Sequence, residues 1–251
     1  MIAEEFKLRG KTALVAGDSK HWSKYAAAAL AEAGANVVVA ARNVKKMEEA
    51  AEEVRRQGTK ALTIQTDTTD SAQVQTMAER TVAEFGRIDI LVNATDLLFA
   101  KPFLETSESE WRRVLDVNLT SVFHCCQAVG EQMLKQKKGR IINIISCLAE
   151  RGMENSAAYC AAMGGVLQLT RVLDLEWARH GITTNAVGTG WISETEKTGA
   201  PQEELLLKYL PLKRYGHPSE MGSLLIYLAS DATDFYSGQF LYVDGAVMSH
   251  L

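Results

Sequence analysis

The sequence is short of the features that would place it in several large protein classes. Its four cysteines, Cys125, Cys126, Cys147 and Cys160, fall inside apolar segments without metal-ligand spacing. That argues against a disulfide framework or a cysteine metal centre and leaves reduced packing residues. His21, His124, His180 and His217 have no mutual spacing that suits a metal or a catalytic triad, so no metal site is expected. An excess of one charge is lacking too: 27 Lys and Arg against 31 Asp and Glu give a net charge of −4. With no basic cluster, nucleic acid and anionic membrane are poor partners. No apolar run approaches the roughly 18 residues of a membrane span, and the opening MIAEEFKLRGK has no apolar signal core. A cytoplasmic location is the expectation. There is no repeat, linker or low-complexity tract.

What is present is alternation. Hydrophobic residues make up 47% of 251 residues, enough for a substantial core. Short β-branched runs predict strands at 12–16, 36–40, 61–65, 88–93, 139–145, 183–187 and 240–243. Helical segments are expected at about 22–33, 44–57, 71–85, 107–136, 155–179 and 218–229. Near-continuous apolar strands such as IDILVNA and RIINIIS fit burial on both faces. The expected fold is α/β: a single doubly wound Rossmann-like domain over residues 1–251, with a seven-stranded parallel sheet flanked by helices. The irregular stretch 191–216 is expected to form a lid near the C-terminal ends of the strands.

The order of landmarks over essentially the whole chain resembles the short-chain dehydrogenases/reductases. GKTALVAG opens as they open, QTDTTD places Asp67 where they contact adenine, and VLDVNLTSVFH carries their helical asparagine as Asn118. GRIINIIS ends in Ser146, with Tyr159 thirteen residues on. The resemblance implies a nicotinamide cofactor site built from Gly17, Lys20, Arg42, Asp67 and Asn93. It also implies a proton-transfer group of Asn118, Ser146 and Tyr159. Lys20 and Arg42 stand where NADP-preferring members place cations, and no acidic residue ends the second strand.

Departures from the family pattern cluster on the cofactor. Its T-G-x-x-x-G-x-G turn reads here Ala16-Gly17-Asp18-Ser19-Lys20-His21-Trp22-Ser23, with only the first glycine kept. Glycine takes positive φ freely and lets backbone approach a pyrophosphate, so His21 and Ser23 add Cβ atoms on the phosphate path and Trp22 adds bulk beside it. Asp96 replaces the last glycine of N-N-A-G, and Thr189 replaces a proline usual beside the nicotinamide. Met163 stands where the family has the lysine that lowers the tyrosine pKa. Bringing a phenol from pKa 10 to 7 takes about 4 kcal/mol, which a thioether cannot supply.

These losses lead to the expectation of a non-catalytic subunit that takes no cofactor itself and supports an active paralogue holding NADP(H) or NAD(H). The paralogue would dock through helices 107–136 and 155–179, whose apolar residues lie on more than one face. The analogy is to hetero-oligomeric dehydrogenases of 3-hydroxyacyl-CoA thioesters, such as the hydroxybenzylsuccinyl-CoA type. Two alternatives stay open. One is a redox-neutral enzyme using a vacated pocket lined by Trp22 and Met163. The other is an atypical NADP(H)-dependent ketoreductase.

Overall fold

Runs of Val, Ile and Leu with no polar face become strands, and the polar-edged segments between them become the crossover helices that parallel pairing requires. The computed structural model describes residues 2–17, 22–194 and 207–249. After a single-turn α1 (Ile2–Glu5), the chain runs through β1 (Thr12–Ala16), α2 (Trp22–Glu32), β2 (Asn36–Ala41), α3 (Val44–Arg56), β3 (Ala61–Gln65), α4 (Ser71–Phe85) and β4 (Ile90–Asn93). It continues with α5 (Glu108–Leu115), α6 (Ser121–Gln136), β5 (Gly139–Ser146), α7 (Ala157–Trp177), β6 (Ile182–Thr189), α8 (Gly222–Ala229) and β7 (Phe240–Val243). The seven strands form one sheet in the order β3-β2-β1-β4-β5-β6-β7, with every pair parallel. The order reverses between β1 and β4, so the crevice for a ligand lies beyond their C-terminal ends.

Side-chain caps start the helices where the sequence places them. Asn43 accepts from the Lys46 amide, Asp70 from the Ala72 and Gln73 amides, and Ser107 forms a capping box with Glu110. Apolar residues fill both faces of the sheet. One layer packs Met77, Val129, Met133, Met163 and Val166 from α4, α6 and α7. The other packs Leu30, Met47, Val54, Leu225 and Leu228 from α2, α3 and α8. Cys125, Cys126 and Cys147 are buried in the first layer, and burial pushes the Cys126 thiol up to about 12, so it stays protonated. No metal-ligand cluster occurs among the described residues, and no described helix is long and apolar enough to cross a membrane.

Two expectations change in detail. The helix expected over 107–136 is broken by a π-helical turn, Asp116–Thr120, that separates α5 from α6. Of the expected lid, 195–206 lies outside the described residues. At its described ends Ile192 pairs with Gly216, while Leu207 and Leu210 pack on Val247.

Candidate active site

β5 ends at Ser146, and α7 carries Tyr159, whose hydroxyl meets that of Ser146. Tyr159 is buried, and its hydroxyl donates a hydrogen bond to Asp96 Oδ1 at 2.8 Å. Asp96 follows β4 on an exposed loop, so a buried phenol meets a carboxylate open to water. Burial is the largest influence on the phenol, and the charge and hydrogen bond of Asp96 add to it. Together they push the pKa well above its ordinary value, against an opposing pull from the Ser146 hydroxyl. Asn118 occupies the π-helical turn, whose extra residue turns its amide inward. The amide clamps the loop after β4, accepting from the Leu97 amide at 2.8 Å and donating to the Leu97 carbonyl at 3.0 Å. Asn118 thereby fixes the residue next to Asp96.

Met163, one helical turn after Tyr159, is 1% exposed and packs among the α4–α6–α7 core residues. Among the described residues, neither it nor any other side chain bonded to Tyr159 brings a cation to the phenol. Trp22 lies on the other side of the sheet, 6% exposed, in the layer formed by α2, α3 and α8. The expected crowding of the phosphate path by its indole is therefore corrected. The side chain at this first helical position points down into the core, where apolar packing holds it. The two residues proposed to line one vacated pocket sit on opposite faces of the sheet, so that pocket is corrected too.

The Ser23 hydroxyl turns back to donate to the Gly17 carbonyl at 2.9 Å. Asp18, Lys20 and His21 lie outside the described residues. Gly17 has φ +132° and abuts the end of β4, where an added Cβ would stand 2.6 Å from the Ala94 carbonyl carbon. Asn93 does not face the crevice. It donates to Asn143 at 2.8 Å, and Asn143 donates to Thr170 at 2.9 Å, a polar chain buried between sheet and helices. Thr189 donates to the Ile145 carbonyl at 3.1 Å, tying β6 to β5.

A cleft of about 190 Å³ opens beside Asp96. Gly17, Arg42, Asp67, Thr68, Asp96 and Arg113 are among its walls. Asp67 accepts from the Thr69 amide at 3.0 Å and hydroxyl at 2.7 Å. Burial opposes its ionisation, but these bonds and the neighbouring Arg42 outweigh burial and keep the carboxyl below its usual range. A fixed carboxylate acceptor with a cation beside it suits a base amino group next to a phosphorylated ribose. The adenosine end of a dinucleotide thus fits these residues. Ser146 and Tyr159 meet at the end of β5, and Met163, where the resemblance implies a lysine, is packed in the apolar core. The clearest feature that sequence reasoning missed is the pairing of Asp96 with Tyr159, 63 residues apart. Its only trace in the sequence is the coincidence of a gained carboxylate and a lost lysine.

Residues 23–247 match the family model described as enoyl-(acyl carrier protein) reductase. The 3-oxoacyl-[acyl-carrier-protein] reductase FabG of Staphylococcus epidermidis is 36% identical, with 94% of this chain and 98% of the relative aligned. The 2-dehydro-3-deoxy-D-gluconate 5-dehydrogenase of Dickeya dadantii is 35% identical, with 98% of each aligned. A crystal structure of a gluconate 5-dehydrogenase from Burkholderia cenocepacia, in complex with NADP and tartrate, superposes with a TM-score of 0.93 at 34% identity and full coverage of both chains. These near-full-length relatives are named reductases and dehydrogenases, which overturns the expectation of a non-catalytic supporting subunit. That inference took Asp96 only as a carboxylate set against a cofactor, whereas in the fold it pairs with Tyr159. The expectation that this chain takes no cofactor has no support among them.

Proposed function

Because the chain belongs to the short-chain dehydrogenase/reductase family of oxidoreductases, we propose that it interconverts a secondary alcohol and a ketone with NADP(H). The observation that carries this reading is the buried Tyr159 hydroxyl, which meets Ser146 at the end of β5 and donates to Asp96, a wall residue of the cleft that Arg42 and Asp67 also line. Gly17, Asp67 and Thr68 would hold the adenosine half, with Arg42 next to its 2′-phosphate. When bound, the nicotinamide supplies or accepts a hydride. The protein's own part is to hold and protonate oxygen. Ser146 donates to the substrate oxygen and fixes its position, Tyr159 passes the proton, and Asn118 keeps the Asp96 loop in register through Leu97. We also infer that Phe123, Val172 and Leu175, exposed on α6 and α7, are covered by a second chain of the same fold.

Two relatives act, by name, on a 3-oxoacyl thioester and on a sugar acid. The purified chain is therefore assayed alone with gluconate and NADP⁺, and with a short 3-oxoacyl thioester and NADPH. The expected result is turnover in at least one pair, with NADP(H) preferred to NAD(H). Arg42→Asp should weaken NADP(H) binding roughly tenfold or more by replacing attraction to the 2′-phosphate with repulsion. NAD(H) binding should be little changed. Equal preference for the two nucleotides in the unmodified chain would remove Arg42 from this role.

A further inference from the structure

The proton-transferring tyrosine lacks a neighbouring cation among the described residues. A phenolate base needs a cation beside it, and the position that would supply one holds Met163, sealed in the core. The phenol instead touches a carboxylate, which opposes a phenolate. We infer that Asp96, acting through Tyr159, is the terminal proton acceptor and donor of this site, so that the tyrosine relays a proton without becoming an anion. The inference rests on the proposed oxidoreductase activity.

The geometry supplies each link. Tyr159 already directs its hydrogen at Asp96 Oδ1 over 2.8 Å, and its oxygen, which meets the Ser146 hydroxyl, has a second lone pair with which to accept from a substrate hydroxyl. In alcohol oxidation the substrate O–H bond breaks and its proton goes to the Tyr159 oxygen. The tyrosine's own proton passes along the existing hydrogen bond to Asp96. The electron pair of the substrate C–H bond leaves as hydride to the oxidised nicotinamide, the co-reactant of the proposed activity. The products are a ketone, the reduced nicotinamide, a neutral tyrosine and a protonated Asp96. Being exposed, Asp96 then returns its proton to water. Reduction runs the same chain backwards from a protonated Asp96.

The charged and titratable groups around the pair are few among the described residues. Arg42, at the end of β2, Arg113, on α5, and Asp67, after β3, line the same cleft as Asp96. At the end of β5, Ser146 and Cys147 face Tyr159, and burial pushes the Cys147 thiol up, keeping it neutral. The two candidate bases give different pH profiles. If Asp96 is the acceptor, oxidation is lost as pH falls through the Asp96 pKa and is level from neutral to alkaline pH. If the phenolate were the base, the rate would climb about tenfold per pH unit through the neutral range and beyond 10.

The test uses Asp96→Asn in the full chain. The amide oxygen still accepts the tyrosine hydrogen bond at nearly constant volume, but it cannot take the proton. NADP⁺-dependent alcohol oxidation at neutral pH should fall about 10²- to 10⁴-fold in kcat. KM should be little changed, and the level profile should become one that rises with pH. A second readout needs no cofactor. With tyrosine labelled at Cζ, the Tyr159 resonance, assigned by its loss in Tyr159→Phe, should titrate at lower pH in Asp96→Asn than in the unmodified chain, because the opposing charge is gone. A working unmodified chain whose Asp96→Asn variant keeps its rate within threefold and its pH profile overturns this inference alone. So does an unmoved Tyr159 titration. An unmodified chain with no NADP(H)-linked turnover overturns the activity proposed above, and the relay with it.

Discussion

Tyr159→Phe should abolish most turnover while leaving cofactor binding in place. The substitution removes one oxygen from a buried ring and leaves the packing of α7 intact. General acid–base catalysis by a positioned side chain contributes about 10²- to 10⁴-fold, and kcat is expected to fall by that amount. The Kd for NADP(H) should stay within about threefold, because the proposed adenosine contacts lie on Gly17, Arg42, Asp67 and Thr68. Deleting the hydroxyl also leaves the Asp96 carboxylate one donor short. Since Asp96 is exposed and water replaces that donor, the stability cost should be no more than about 1 kcal/mol. Single-turnover kinetics with a fluorescence titration of NADPH check both parts. A variant that keeps a tenth or more of the normal rate would show that another group moves the proton.

The second large effect concerns the fold rather than the chemistry. Gly17→Ala should destabilise the protein by roughly 3–5 kcal/mol, the sum of a backbone strain and a packing clash. At φ +132° an L-residue is strained whatever the space around it, and the added Cβ would lie within 2.7 Å of three backbone atoms of Ala94 and Thr95. Those atoms belong to the chain leaving β4, which cannot retreat without breaking the Ala94 amide bond to the Ala16 carbonyl at 2.7 Å. Urea unfolding measures the loss. A change below 1 kcal/mol would mean that the turn relaxes, and that this glycine serves a ligand rather than the junction of β1 and β4.

The Gly17 geometry also explains why part of the sequence reading went astray. The surviving first glycine is needed by the β1–β4 junction, so its retention says little about a cofactor in either direction. The strands, by contrast, were legible, because a residue run buried on both faces must be apolar throughout. β1, β3 and β7 begin and end where composition places them, and β6 is longer than expected at both ends because it pairs with β5 from Ile182 to Thr189. Trp22 was misread because composition does not tell which way the first residue of a helix points, and here it points into the core. The π-helical turn at Asp116–Thr120 carries no compositional signal at all. Asp96 was recognised as a departure, yet its partner was not, since one-dimensional spacing cannot bring the loop after β4 onto α7. Met163 and Asp96 were counted as two separate losses. In the fold Asp96 pairs with Tyr159, one helical turn before Met163.

The central claim is that the crevice at the ends of β1 and β4 binds a phosphorylated dinucleotide. Calorimetric titration of the purified chain with NADP⁺ and with NAD⁺ tests it most directly. The account predicts micromolar binding of NADP⁺ and clearly weaker binding of NAD⁺. Absence of heat and of saturation with either nucleotide at millimolar concentration would contradict it.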